Sequence, residues 1–137
     1  MEQGLLGFPQ PLLATNLETF GITIGGGGVI TTGSKGYTRL PVAGVITKVT
    51  LLADQSGTIA IDIKKCAYKN FPTTTSICSS SKPTLTSAQS YEDANLKGWN
   101  ATVNPGDVIE FVVDSGTTPA NITQVSLIVE MIRKQLG

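Results

Sequence analysis

Apolar and polar residues alternate along four segments of the chain, and such alternation is typical of half-buried β-strands. In residues 57–65, for example, isoleucine occupies every second position from Ile59 to Ile63. The four segments are residues 45–53, 57–65, 107–115 and 121–132, and weaker strand patterns cover 20–24, 37–40 and 96–103. In the first segment the pattern places Val45, Thr47, Val49 and Leu51 on one face.

Turn-forming residues separate the strand segments: ADQSG at 53–57, NPGD at 104–107 and DSGTTPAN at 114–121. In NPGD, Pro105 suits the second turn position and Gly106 supplies a positive φ at the third, which predicts a type II turn. Short strands with turns at this spacing predict an all-β domain, an antiparallel β-sandwich or jelly-roll-like knob, over residues 21–137.

Residues 1–20 show neither the strand period nor the helix period, because their apolar side chains are scattered among Pro and Gly. We therefore expect an extended N-terminal arm that precedes the sandwich. Uncovered, its apolar side chains would form an exposed patch of the kind that marks an interaction site. The arm residues expected to bind a partner are Leu5, Leu6, Phe8, Leu12, Leu13 and Leu17.

Residues 66–95 form a Ser- and Thr-rich segment that interrupts the strand pattern, and such long loops are usually functional. A short helical turn fits TSAQSYEDA within it. Its aromatic side chains offer ring faces on which a sugar can stack, which makes Tyr68, Phe71 and Tyr91 candidate glycan or receptor contacts. The alternative, which we favour, is that Phe71 and Tyr68 anchor the loop while Trp99 plugs one end of the sandwich.

The last strand segment has an outer face that is more apolar than a solvated strand needs. This excess predicts a subunit interface in a homo-oligomer. The residues concerned are Ile122, Ile128 and Ile132.

The charge balance argues against nucleic acid and membrane partners. Lys plus Arg and Asp plus Glu number 10 each, so no net charge attracts the chain to either. No apolar run reaches the length of a membrane span, and no secretory signal is visible. We expect synthesis in a reducing cytoplasm, which favours free thiols at Cys66 and Cys78 over a disulfide, although a disulfide stays open.

Catalytic chemistry has little support in the sequence. The chain has no histidine, which removes the commonest general base and metal ligand. The stretch ITIGGGGVITTGSKGY imitates a phosphate-binding loop, but Lys35 follows Ser34 instead of Gly33, so we expect the glycines to serve the geometry of a turn. We expect no enzyme, no metal and no cofactor. The carboxylates are expected to be solvated: Asp54, Asp62, Glu92, Asp93, Asp107, Glu110 and Asp114.

Several motifs in a fixed order resemble a small β-domain of tailed-bacteriophage virion proteins. They are GGGGVITTGSKGYTRLP, VITKVTLLADQSGTIAIDIKK, YKNFPTTTSI, KPTLTSAQ, LKGWNATVNPGDVIEFVVDS and ITQVSLIVEM, which together span about residues 21–132. Lys65 and Cys66 stand where that family often has a Trp-Lys-Asp run, so no role of that tryptophan transfers to this chain.

The resemblance implies a non-enzymatic structural or adhesive knob of the virion that assembles as a trimer. The first hypothesis is a capsid decoration (cement) protein whose arm binds the major capsid protein or another virion protein. It is favoured because a tail fibre would carry a long shaft upstream of such a domain. The alternative is a tail-fibre tip that contacts host surface polysaccharide.

Overall fold

The computed structural model describes residues 16–117 and 119–134. Apart from one 3-10 turn at Tyr68–Asn70, the regular structure in these ranges is β-strand. The strands are β1 (Leu17–Gly25), β2 (Gly33–Arg39), β3 (Gly44–Cys66), β4 (Thr75–Ser76), β5 (Thr84–Asp93), β6 (Thr102–Val103), β7 (Val108–Val113) and β8 (Gln124–Arg133). All strand pairs are antiparallel, which confirms the predicted all-β fold class.

The strands form two layers that share β3. The larger layer has the order β1, β8, β3, with β5 and β6 on the far side of β3. The smaller layer has the order β2, β7, β3, β4. The inward side chains of both layers meet in one core, which includes Val49 and Leu127 from the larger layer and Ile63 and Phe111 from the smaller.

Strand β3 passes from one layer to the other. Its residues 44–53 pair with β8, and its residues 61–66 pair with β7. The sequence predicts two strands joined by a turn at 53–57, whereas the structure has one strand with register irregularities there. Asp54 ties this irregular part of β3 to the start of β8. Its carboxylate accepts hydrogen bonds from the Thr123 hydroxyl at 2.6 Å and from the N–H groups of Thr123 and Gln124 at 3.1 Å.

A β-bulge changes the inward face at the start of β3. The register with β8 shifts between Ile46 and Lys48, so the strand has one extra residue there. Ile46 is consequently buried, and Val45, which the alternation places inside with Val49, is exposed. The alternation of β8 is as predicted, with Val125, Leu127, Val129 and Met131 all buried.

The first strand begins earlier than expected. All nine residues of β1 pair with β8, from Leu17 opposite Ile132 to Gly25 opposite Gln124. The boundary expected after residue 20 therefore falls inside a strand. The other predicted arm contacts, Leu5, Leu6, Phe8, Leu12 and Leu13, lie outside the described residues.

The segment 66–95 is more regular than its composition indicates. It contains the 3-10 turn, β4 and the ten-residue strand β5. TSAQSYEDA lies in and just after β5 and forms no helical turn, because pairing with β3 outweighs the local preference of its residues. Ser87, with φ of 48°, occupies an irregular position in that pairing.

The glycine run forms the turn between β1 and β2. Gly25 has φ of +100°, and a Cβ there would lie 2.1 Å from the carbonyl oxygen of Thr123. The following segment enters β2 instead of a helix, and the Lys35 amine donates to the Thr31 hydroxyl at 2.9 Å. The run therefore has the geometric role expected from its sequence. NPGD also turns as predicted, with φ of 87° at Gly106.

Candidate functional site

The outward face of the smaller layer holds an aromatic cluster, which we define as Tyr37, Arg39, Tyr68 and Phe71. Strand β2 supplies Tyr37 and Arg39, which are two positions apart and so share a face. In the pairing with β7, Tyr37 lies opposite Glu110 and Arg39 opposite Val108. Residues 68–71 supply the other two rings.

Two ring contacts join these elements. The Tyr37 and Phe71 rings meet edge to face, with centroids 4.9 Å apart and planes at 77°. The guanidinium carbon of Arg39 lies 4.0 Å from the centroid of the Tyr68 ring, a cation–π contact. All three rings remain open to solvent, with exposed fractions of 50% for Tyr37, 61% for Tyr68 and 44% for Phe71.

Backbone hydrogen bonds fix the segment that carries two of the rings. Within the turn, the N–H of Asn70 donates to Ala67 at 2.9 Å and the N–H of Phe71 donates to Tyr68 at 3.1 Å. The N–H of Thr73 then donates to Asn70 at 2.9 Å. The rings are thus presented on an ordered loop, although the loop itself is exposed.

A carboxylate lies beside the cluster. Glu110 accepts a hydrogen bond from the Thr74 hydroxyl at 2.6 Å, and its neighbours across the sheet are Tyr37 and Lys64. Burial alone would raise the pKa of Glu110, but hydrogen bonds from Thr74 and Ser34 and the charge of Lys64 hold it below its usual value. The group is therefore an ionised acceptor at neutral pH.

Tyr91 does not belong to this cluster. It lies on β5 in the larger layer, half-buried against the core, with its hydroxyl 3.4 Å from Asp93. The structure brings together Tyr68 and Phe71 from the three candidate glycan contacts and adds Tyr37 and Arg39. Sequence reasoning missed these two, and the only signal was their spacing in a weak strand pattern.

A second surface is an apolar row on the outward face of the larger layer, which we define as Leu17, Ile132 and Val45. Ile132 pairs with Leu17 on one side and with Val45 on the other. The exposed fraction is 57% for Leu17, 47% for Ile132 and 40% for Val45. Neighbouring exposed apolar side chains of this kind are typical of a contact surface.

A cleft of about 500 Å³ lies at the same end of the larger layer. It is formed around the junction of β1 and β8, where the N–H of Arg133 donates to the carbonyl of Asn16 at 2.7 Å. Its lining is Asn16, Pro41, Val42, Ala43, Pro105, Arg133 and Lys134. The N-terminal segment therefore joins the fold beside this cleft and the apolar row.

The predicted interface residues fall in different environments. Ile132 is exposed and Ile128 is half-buried on the outward face of β8. Ile122 is fully buried, so the outward position assigned to it was wrong. It precedes β8, which begins at Gln124, and it packs under Gly57, where a Cβ would lie 2.7 Å from its Cγ1.

Two carboxylates expected to be solvated are buried, Asp62 and Asp107. Asp62 accepts from the hydroxyl of Ser76 at 2.6 Å, because strand β4 pairs with β3 next to it. Asp107 accepts from the N–H of Asn104 at 2.8 Å within the NPGD turn. Asp107 also forms an ion pair with the Lys65 amine at 3.8 Å, so both buried carboxylates have polar partners. The described residues contain no group of three or more side chains able to hold a metal ion.

Both thiols, Cys66 and Cys78, are buried and free, so the structure has no disulfide between them. Burial raises the pKa of the Cys78 thiol to about 12. Across residues 16–117 and 119–134 there is also no helix with the length and apolar character needed to cross a membrane.

Comparisons with known proteins give little further information. No protein-family model matches the chain, and no curated protein sequence matches it. Among solved structures, the chain is similar to a chain described as the structure of infectious bursal disease virus Gx strain, with a TM-score of 0.33 and 12% identity. The match covers 85% of this chain and 34% of that one.

Proposed function

We propose that this chain is a non-enzymatic structural protein of a bacteriophage virion, a capsid decoration protein that binds the capsid through its N-terminal segment. One observation carries the proposal. The apolar row and the neighbouring cleft lie at the end of the sheet where the N-terminal segment joins it.

The apolar row would extend the capsid contact from the N-terminal segment onto the surface of the sheet. Leu17 continues directly from the segment that contains Leu12 and Leu13, so one partner surface can cover both. A partner that covers these partly exposed aliphatic side chains removes apolar surface from water, which favours binding. Three such side chains in register therefore add substantially to the affinity supplied by the segment itself.

Two further features support a virion role. The motifs of residues 21–132 resemble a domain of tailed-phage virion proteins, and the all-β sandwich is compatible with that resemblance. We also propose a homotrimer, in which the half-buried Ile128, outside the apolar row, contributes to contacts between copies.

The test is binding to capsids prepared from a phage that lacks this chain. The full chain should saturate such capsids, and a variant without residues 2–15 should lose at least about tenfold in affinity. The deletion stops before β1 because Leu17–Gly25 belongs to the sheet. Full affinity of the deletion variant would contradict the proposal.

The second candidate function is a receptor-binding tip of a tail. The exposed aromatic cluster favours it, because three solvent-open rings held on ordered backbone suit a ligand contact. Residues 2–15 would then be dispensable for binding to host cells, whereas Tyr68 and Phe71 would not.

A further inference from the structure

We propose that the aromatic cluster, together with Glu110, is a saccharide-binding surface. The faces of sugar rings would stack on Tyr68, Phe71 and Tyr37, and sugar hydroxyls would donate to the Glu110 carboxylate. The proposal goes beyond the virion role, because it holds equally for a capsid or a tail location.

The exposed rings are gathered in one place. The other aromatic side chains that the structure describes are buried or half-buried: Phe20, Tyr91, Trp99 and Phe111. Trp99, for instance, donates its indole N–H to the carbonyl of Ser81 at 2.9 Å. Packing against the core explains those rings, whereas Tyr68 is the most exposed ring of the described residues and its face lies against the Arg39 guanidinium.

The cluster is preorganised. The Nε of Arg39 donates to the carbonyl of Gly106 at 3.1 Å, and its guanidinium packs on the Tyr68 ring. Phe71 is braced by Tyr37. A ligand that binds such a surface loses less free energy to the ordering of side chains, which matters most for weak, shallow sites.

Polar groups complete a saccharide site. The Glu110 carboxylate accepts from the Thr74 hydroxyl at 2.6 Å and is also hydrogen-bonded by Ser34 and Tyr37, so a sugar hydroxyl would join or replace these partners. Lys64 lies across the sheet from Glu110 and adds a donor. Acceptors and donors beside ring faces are what a hydroxyl-rich ring needs, since each sugar hydroxyl both donates and accepts.

A protein partner fits the surface less well. Stable protein interfaces have a contiguous apolar centre from which charged residues are depleted. Lys and Glu are among the residue types depleted there, and Glu110 lies directly opposite Tyr37, with Lys64 on the next strand beyond it. The apolar row on the other layer, which consists of three neighbouring aliphatic side chains, suits a protein contact better.

The experiment is binding of the full chain to an array of bacterial O-antigen and capsular polysaccharides. We expect binding to at least one polysaccharide, with a loss of about tenfold or more for Tyr68→Ala and for Phe71→Ala. Glu110→Gln should weaken binding while it leaves ring stacking in place. Leu52→Ala is the matched control, because Leu52 is 48% exposed on the other layer, and it should bind like the unchanged chain.

Urea unfolding of each variant shows whether a loss of binding reflects a loss of fold. Absence of binding across the array by the folded chain would overturn the proposal, and so would equal losses in Leu52→Ala and Tyr68→Ala. If the ring variants instead lose binding to a virion protein while no polysaccharide binds, the cluster is a protein contact and the proposal is wrong. Capsid binding by the ring variants should be unchanged, which separates this test from that of the decoration role.

Discussion

Leu17 on β1 lies directly opposite Ile132 on β8, and both side chains are exposed. Val45 extends this pair on the other side of Ile132. The pairing places apolar surface at the point where the N-terminal segment meets the folded domain. A partner that covers the segment can therefore cover Ile132 as well.

The two isoleucines 122 and 132 should respond differently to substitution. Ile122→Ala leaves a cavity in the core and should lower the free energy of unfolding by about 2–5 kcal/mol. Ile132→Ser removes an exposed side chain and should change it by less than about 0.5 kcal/mol, while it weakens binding to capsids. Urea unfolding measures the first quantity and capsid binding the second. A large loss of stability in Ile132→Ser would show that Ile132 is not on a free surface.

Gly25 should tolerate no side chain. Its φ of +100° disfavours any Cβ, and the Cβ would also lie 2.1 Å from the Thr123 carbonyl oxygen. Gly25→Ala should therefore cost about 2 kcal/mol or more of unfolding free energy. Gly27→Ala is the matched control, because a Cβ at Gly27 meets nothing within 4 Å. Equal stability of the two variants in urea unfolding would contradict the conformation assigned to the glycine run.

Cys66 and Cys78 should be unreactive in the native protein. Both are buried, and the pKa of Cys78 is raised to about 12, so its reactive thiolate is scarce at neutral pH. Titration with a thiol reagent at pH 8 should find almost no reaction in the folded chain and two thiols after unfolding in urea. One disulfide in the unreduced protein, seen as a mass deficit of two hydrogens, would contradict the structure.

Asp54 should make stability sensitive to acid. The Thr123 hydroxyl and the N–H groups of Gln124 and Thr123 lower the pKa of Asp54 below its usual value of 3.8. Because the pKa of Asp54 is lower in the folded chain, its ionised carboxylate stabilises the fold fully above the pKa of the unfolded chain. This stabilisation is lost as the pH falls through the folded pKa. The free energy of unfolding should therefore decrease as the pH falls below about 4. The decrease over the same pH range should be smaller in Asp54→Asn. Parallel curves for the two proteins in urea unfolding at several pH values would contradict the assignment.

Local alternation was a sound guide wherever a strand stayed regular. The alternate residues from Val125 to Met131 on β8 and from Ile59 to Ile63 on β3 are buried as predicted. Successive side chains of a regular strand point to opposite faces, so the apolar positions of the sequence give the inward face directly. Val45 was misplaced because a bulge shifts the phase by one residue, and no local signal marks that bulge. Ile122 was misplaced because β8 begins at Gln124, so Ile122 precedes the strand and does not follow its alternation.

The aromatic cluster was only partly predictable. Tyr68 and Phe71 stood out because they are close together in a long segment of small polar residues. Tyr37 joins them only through the pairing of β2 with β7, a relation between distant parts of the chain. Tyr91 lies in the same sequence segment as Tyr68, yet β5 carries it to the other layer.

The copy number of this chain in purified virions, measured by quantitative mass spectrometry against the major capsid protein, separates capsid decoration from a tail location. Capsid decoration predicts a copy number on the scale of the capsid subunits, and the chain should remain with capsids after tails are removed. A copy number equal to that of a tail-fibre protein, with loss of the chain when tails are removed, would contradict capsid decoration.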